Sequence, residues 1–159
     1  MIIKELGLII MATKQDLLKF VTSWTNGLSM IRTAYEKNES HKEVAIKFIN
    51  KFYLFNEEPV LFKPTLTNKT IFRNSVDDAL SYFIGGKYPE DTGFALKAYE
   101  SVDINETNTI IEKDLIAIMG ILNFKLINSD ESMRVAFTFV LKSSESGLKI
   151  KIHHSSPII

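Results

Sequence analysis

Apolar residues recur at steps of three and four in the first half of the chain and at steps of two in the later part. Leu17, Val21, Trp24, Leu28, Ile31 and Tyr35 share one face of an amphipathic helix. Thr13 precedes them with Asp16 three residues on, a pairing that satisfies the orphan amides of a first turn. Ser40 with Glu43 opens a second helix carrying Val44, Phe48, Ile49 and Phe52. Ser75 with Asp78 opens a short third carrying Ala79, Leu80, Phe83 and Ile84, and Gly85-Gly86 is placed to end it.

From about Phe94 the period becomes two, the mark of strands. In "MRVAFTFVL", Met133, Val135, Phe137, Phe139 and Leu141 alternate with Arg134, Ala136, Thr138 and Val140. Turn residues at Asn105 to Asn108, in "NSDES" from Asn128 and in "SSESG" ending at Gly147 divide this region into hairpin-linked runs. Helices first and an antiparallel meander afterwards predict an α+β fold, with the helices packed on one face of a curved sheet. That arrangement leaves room for a small ligand between helices and sheet.

The 159 residues suit a single domain over 1–159, with 1–12 as a candidate extra N-terminal segment and Met11 as an alternative start. Formal charge is zero and the basic residues are dispersed, so neither a nucleic-acid partner nor a membrane surface is expected. The first apolar run carries Lys4 and Glu5, is too short to span a bilayer and fits a signal peptide poorly. A cytoplasmic protein is expected. There is no cysteine, which removes disulfides, thiolate nucleophiles and sulfur-bound zinc.

The chain closes with "KIKIHHSSPII", and plain alternation puts Leu148, Ile150, Ile152, His154 and Ser156 on one face and Lys149, Lys151, His153 and Ser155 on the other. Only one histidine then points inward. No His-x-His pair exists and His41 is the only other histidine, so no metal site is expected. An inward histidine and serine two apart can hold a water or an anion, and an imidazole can take a proton near neutral pH. A polar strand end, with the serine capping a turn before Pro157, fits the same spacing.

Five segments in order carry a family resemblance: "LFKPT" (Leu61 to Thr65), "FRNSVDDALSYFIGG" (Phe72 to Gly86), "GFALKAYESV" (Gly93 to Val102), "AIMGILNF" (Ala117 to Phe124) and "IHHSSP" (Ile152 to Pro157). From about Lys47 onward the sequence resembles the iota-class carbonic anhydrases, within the cone-shaped fold of nuclear transport factor 2 (NTF2-like, cystatin-like) and the association domain of calmodulin-dependent kinase II. The resemblance implies a lyase that hydrates carbon dioxide to bicarbonate with no cofactor and no metal. It implies Thr65, Tyr82, His154 and Ser156 as catalytic residues, with His153 and Ser155 also at the substrate and Ser155 an alternative to Ser156. The family's terminal motif often has a third histidine, where this chain has Ile152.

In that reading Thr65, Tyr82 and Ser156 hold the water and the bicarbonate oxygens, and His154 accepts or relays the proton. Plain structural roles fit the same residues: Tyr82 packing beside Phe83, Thr65 ending a strand after Pro64, and Lys63, Arg73 and Lys97 as solvated surface. Phe62, Phe94, Phe124, Phe137 and Phe139 are read as core and pocket wall. A small-molecule binder or isomerase-like protein of the same cone, and an oligomeric association domain, are the rival classes. A homodimer through the open sheet face is expected, as Ala136 and Val140 hint.

Overall fold

The computed structural model describes residues 3–5 and 8–159, with side chains from Met11 onward. In chain order the elements are β1 (Ile3–Glu5), β2 (Leu8–Ile10), α1 (Lys14–Glu36), α2 (His41–Phe52), β3 (Leu61–Lys63), α3 (Val76–Ile84), a 3-10 turn (Phe94–Leu96), β4 (Tyr99–Ile111), β5 (Ile116–Leu126), β6 (Ser132–Ser144) and β7 (Gly147–Pro157). β1 and β2 pair with each other, antiparallel and apart from the main sheet.

All three helices begin where the capping signatures predict. Thr13 accepts from the Asp16 amide while the Asp16 carboxylate accepts from the Thr13 amide. Ser75 accepts from the Asp78 amide in the same way. Ser40 also precedes its helix but makes no side-chain cap, because its backbone (φ −72°, ψ 74°) lacks the extended form of the other two caps. α1 buries Leu17, Val21, Trp24, Leu28 and Ile31, and α2 meets it with Phe48, Ile49 and Phe52. Gly27 makes that approach close, since a Cβ there would lie 2.5 Å from the Phe48 ring.

The main sheet runs β3-β7-β6-β5-β4. β4 to β7 form the expected antiparallel meander, but β3 adds to the edge parallel to β7, so the sheet is mixed. The chain reaches that edge directly from α2, where Tyr53 bridges Ile150 before β3 begins. The fold is α+β with a curved, open five-stranded sheet.

Asn105 to Asn108 do not form the expected turn. They lie inside β4, where Glu106 takes φ 43° and the pairing with β5 shifts by one residue, a bulge. A bulge bends a strand without ending it, so polar turn-forming residues survive in mid-strand. Gly120 faces this kink, and a Cβ there would sit 2.9 Å from the Glu106 carbonyl. The chain turns instead after β4, where the Glu112 amide donates to the Leu115 carbonyl.

On the face away from the helices, cross-strand pairing sets Ile110, Ala117, Val140, Ile152 and Leu61 in one apolar row across all five strands. Met119 stands beside that row, 59% exposed.

Candidate active site

Plain alternation puts His154 and Ser156 inside, and the structure corrects this by one residue. Val140 pairs with Ile152 and Leu141 with Ile150, which leaves Lys151 as an extra residue in β7. Because side chains alternate with period two, one extra residue reverses every face beyond it. His153 (4% exposed) and Ser155 (3% exposed) therefore face the core, opposite Phe139 and Phe137 of β6. His154 is exposed, Ser156 is half-buried, and Ile152 turns outward with them.

His153 sits among aromatic rings. Phe62 stacks on it at 4.6 Å between centroids, Phe139 meets it edge-on at 4.7 Å, and Trp24 and Tyr53 lie at 5.7 and 6.0 Å. Its Nδ1 is 2.9 Å from the Tyr53 hydroxyl and its Nε2 is 2.7 Å from the Ser155 hydroxyl. Behind Tyr53, the Trp24 indole Nε1–H donates to the Tyr53 oxygen at 3.2 Å. Burial, helped by the nearby charges of His154 and Lys63, lowers the His153 pKa from its ordinary value to about 3, so the ring is neutral at physiological pH.

Tyr82 and Thr65 come to the same aromatic wall from a second direction. Tyr82 is buried on α3, edge-on to Phe62 at 6.1 Å and stacked on Phe94 at 5.3 Å. Its hydroxyl accepts from the Leu66 amide at 3.2 Å, with the Thr65 side chain also hydrogen-bonded to it. Burial pushes the Tyr82 hydroxyl pKa far up, so it stays protonated. Thr65 is itself buried, two residues past β3. A small cleft beside Tyr82 is lined by Leu66, Asp91, Phe94 and Lys97.

Tyr99 is a residue that sequence reasoning did not single out. Its ring packs on Phe94 and Phe124, at 5.8 and 4.9 Å. Its hydroxyl is buried and has no hydrogen-bond partner among the described residues. Burial raises its pKa, and its charge, if formed, would raise that of Tyr82, which places the two phenols near each other. A buried orphan hydroxyl in a native structure calls for a reason.

The three cations read as solvated surface take different places. Lys63 donates to the Ser155 carbonyl at 2.8 Å, and partial burial lowers its pKa. Lys97 is likewise partly buried, with a lowered pKa. Arg73 is fully buried, contrary to the surface reading, because Asp91 and Glu90 from the loop after α3 fold over it. It ties that loop to the one following Thr65. Among the described residues no group of three or more His, Cys, Asp or Glu is placed to hold a metal ion. Among them, too, no helix is long and apolar enough to cross a membrane.

Helices on one face of a curved sheet, with a neutral histidine–serine pair and buried phenols between the layers, define a cone-shaped α+β protein with a small polar site. The fold is shared with an NTF2-like protein with a cystatin-like fold from Novosphingobium aromaticivorans, at TM-score 0.50 and 7% identity over 94% of this chain and 92% of that one. The family model for metal-independent carbonic anhydrase matches residues 15–157, and the chain belongs to that family. It is 33% identical over 153 residues to a metal-independent carbonic anhydrase of Nostoc sp., covering 91% of this chain and 73% of the relative. The crystal structure of an iota-carbonic anhydrase from a cyanobacterium, complexed with bicarbonate, superposes with TM-score 0.86 at 31% identity, over 94% of each chain. The resemblance carried by the five sequence segments is thereby established.

Proposed function

We propose that this chain catalyses the reversible hydration of carbon dioxide to bicarbonate without a metal ion, at a site made by Ser155, Thr65, Tyr82 and Tyr99 with His153 behind Ser155. The observation that carries the assignment of residues is the buried His153–Ser155 pair, 2.7 Å apart, set in an aromatic wall. His154 and Ser156 lie on the other face of β7 and are left out of the site.

Hydration forms one bond from a water oxygen to carbon, moves one C=O electron pair onto oxygen and releases one proton. Neutral hydroxyl donors held in an apolar wall stabilise the oxygen on which charge develops, and they do so without reorganising. Ser155, Tyr82 and Tyr99 are such donors, and Thr65 sets the direction of Tyr82. His153 remains neutral and bonded at both nitrogens, so the proton passes to water or a buffer base.

The outer sheet face supports a homodimer. Its apolar row, flanked by exposed Met119, leaves a sheet face that a second copy of this chain would cover. Light scattering gives twice the chain mass if so.

Stopped-flow hydration of carbon dioxide on chelator-stripped protein tests the site. Ser155→Ala loses about a hundredfold in rate, the cost of one such donor, while Ser156→Ala stays near wild type. Equal losses, or no rate in the stripped wild type, would overturn the assignment.

A further inference from the structure

Four buried groups form one line: Trp24 Nε1 to Tyr53 Oη at 3.2 Å, Tyr53 Oη to His153 Nδ1 at 2.9 Å, and His153 Nε2 to Ser155 Oγ at 2.7 Å. The direction of each bond follows from its inner end. Indole nitrogen only donates, so the Tyr53 oxygen accepts from Trp24. The Tyr53 hydrogen then needs an acceptor, and among the described residues the only one beside the hydroxyl is His153 Nδ1. Reversing that bond would strand the Tyr53 hydrogen at a residue 1% exposed, a penalty of roughly tenfold to a hundredfold in population.

Resting on the carbonic anhydrase reading, we infer that Tyr53, anchored by Trp24, is a positioning residue that fixes the polarity of the site. It holds His153 as the Nε2–H tautomer, so His153 donates to Ser155 and the Ser155 hydroxyl hydrogen is left to point at a substrate oxygen. Ser155 hence meets the substrate as a donor, suited to an oxyanion. The ring behind it fixes that orientation without exchanging a proton. The low pKa of His153 agrees with a ring that keeps one tautomer across the neutral range.

Nitrogen-15 NMR of the full chain reads the tautomer directly. In wild type, the proton is on Nε2 and absent from Nδ1 at every pH from 6 to 9. In Tyr53→Phe the Nδ1 partner is gone, a second tautomer appears, and the KM for bicarbonate in the dehydration direction rises roughly tenfold as Ser155 turns its hydrogen inward. Trp24→Phe disturbs the same core but leaves Tyr53 its hydrogen, so the Nε2–H form persists and separates polarity from general core damage. An Nδ1–H tautomer in wild type would overturn the inference even if Tyr53→Phe failed to fold, and so would an unchanged tautomer and KM in a folded Tyr53→Phe. If wild type shows the Nε2–H form but no hydration of carbon dioxide, the assigned activity fails and the polarity stands.

Discussion

Replacing Arg73 by methionine removes a buried cation while filling most of its volume. The guanidinium is 0% exposed and holds Asp91 by two contacts of 2.6 and 2.8 Å and Glu90 by one of 3.0 Å. It also donates to the Thr70 and Asp78 carbonyls and lies 4.4 Å from the centre of the Tyr88 ring. Without it the Asp91 carboxylate, 3% exposed, is left with the Ser81 hydroxyl as its one side-chain partner among the described residues. Breaking a buried pair from one side costs about 3–5 kcal/mol. For a chain of this size each kcal/mol shifts Tm by about 2–4 °C, so Arg73→Met lowers Tm by roughly 10 °C. Urea and thermal unfolding measure the loss. The double variant Arg73→Met with Asp91→Asn recovers more than half of it, because the stranded charge is gone. A loss below about 1 kcal/mol in the single variant, or a further loss on adding Asp91→Asn, would refute the reasoning. Hydration activity falls with it, since Glu90 also accepts from the amides of Asn68, Lys69 and Thr70, in the loop that follows Thr65.

His153 makes stability depend on pH. Its folded pKa, about 3, lies below the ordinary 6.5, so the unfolded chain binds the extra proton and stability falls as pH drops through 6.5. The slope tends to about 1.4 kcal/mol per pH unit below 6.5; urea midpoints between pH 6.5 and 5 read it, and His153→Gln flattens it. Gly120→Ala drives a Cβ to 2.9 Å from the Glu106 carbonyl and 3.0 Å from the Phe137 ring, and costs about 1–3 kcal/mol in thermal unfolding. Tyr99→Phe removes a hydroxyl that has no hydrogen-bond partner among the described residues, so stability holds or rises slightly while the KM for bicarbonate increases; an unchanged KM would take Tyr99 out of the site.

The helices were legible because their signals are local. Thr13 with Asp16 and Ser75 with Asp78 close over three residues, and Gly85 ends α3 at φ 81° as a glycine can. Strand order was legible only where hairpins are short, and the parallel edge β3 depends on contacts with β7 some ninety residues away. Thr65 and Tyr82 were reached through the family resemblance, and the structure brings them together. The facing of the β7 residues was read the wrong way round because the bulge at Lys151 leaves no mark in composition, just as the bulge at Glu106 passed for a turn. Trp24 read as ordinary apolar pattern and Tyr53 was not singled out, since nothing local says that an indole and a phenol will meet the same histidine. Arg73 was legible as a charge but not as a buried one, because its partners at Glu90 and Asp91 lie across a helix.

The extra residue in β7 lends meaning to the doubling in "HHSS". A strand slipping by one residue normally exchanges its working face for its solvent face and destroys a site. Here either phase delivers a histidine followed by a serine two positions on, His153 with Ser155 or His154 with Ser156. The tetrapeptide is degenerate with respect to phase. Insertions and deletions at the β6–β7 hairpin can therefore be absorbed by a bulge that comes or goes, and drift in hairpin length need not cost the chain its histidine–serine pair.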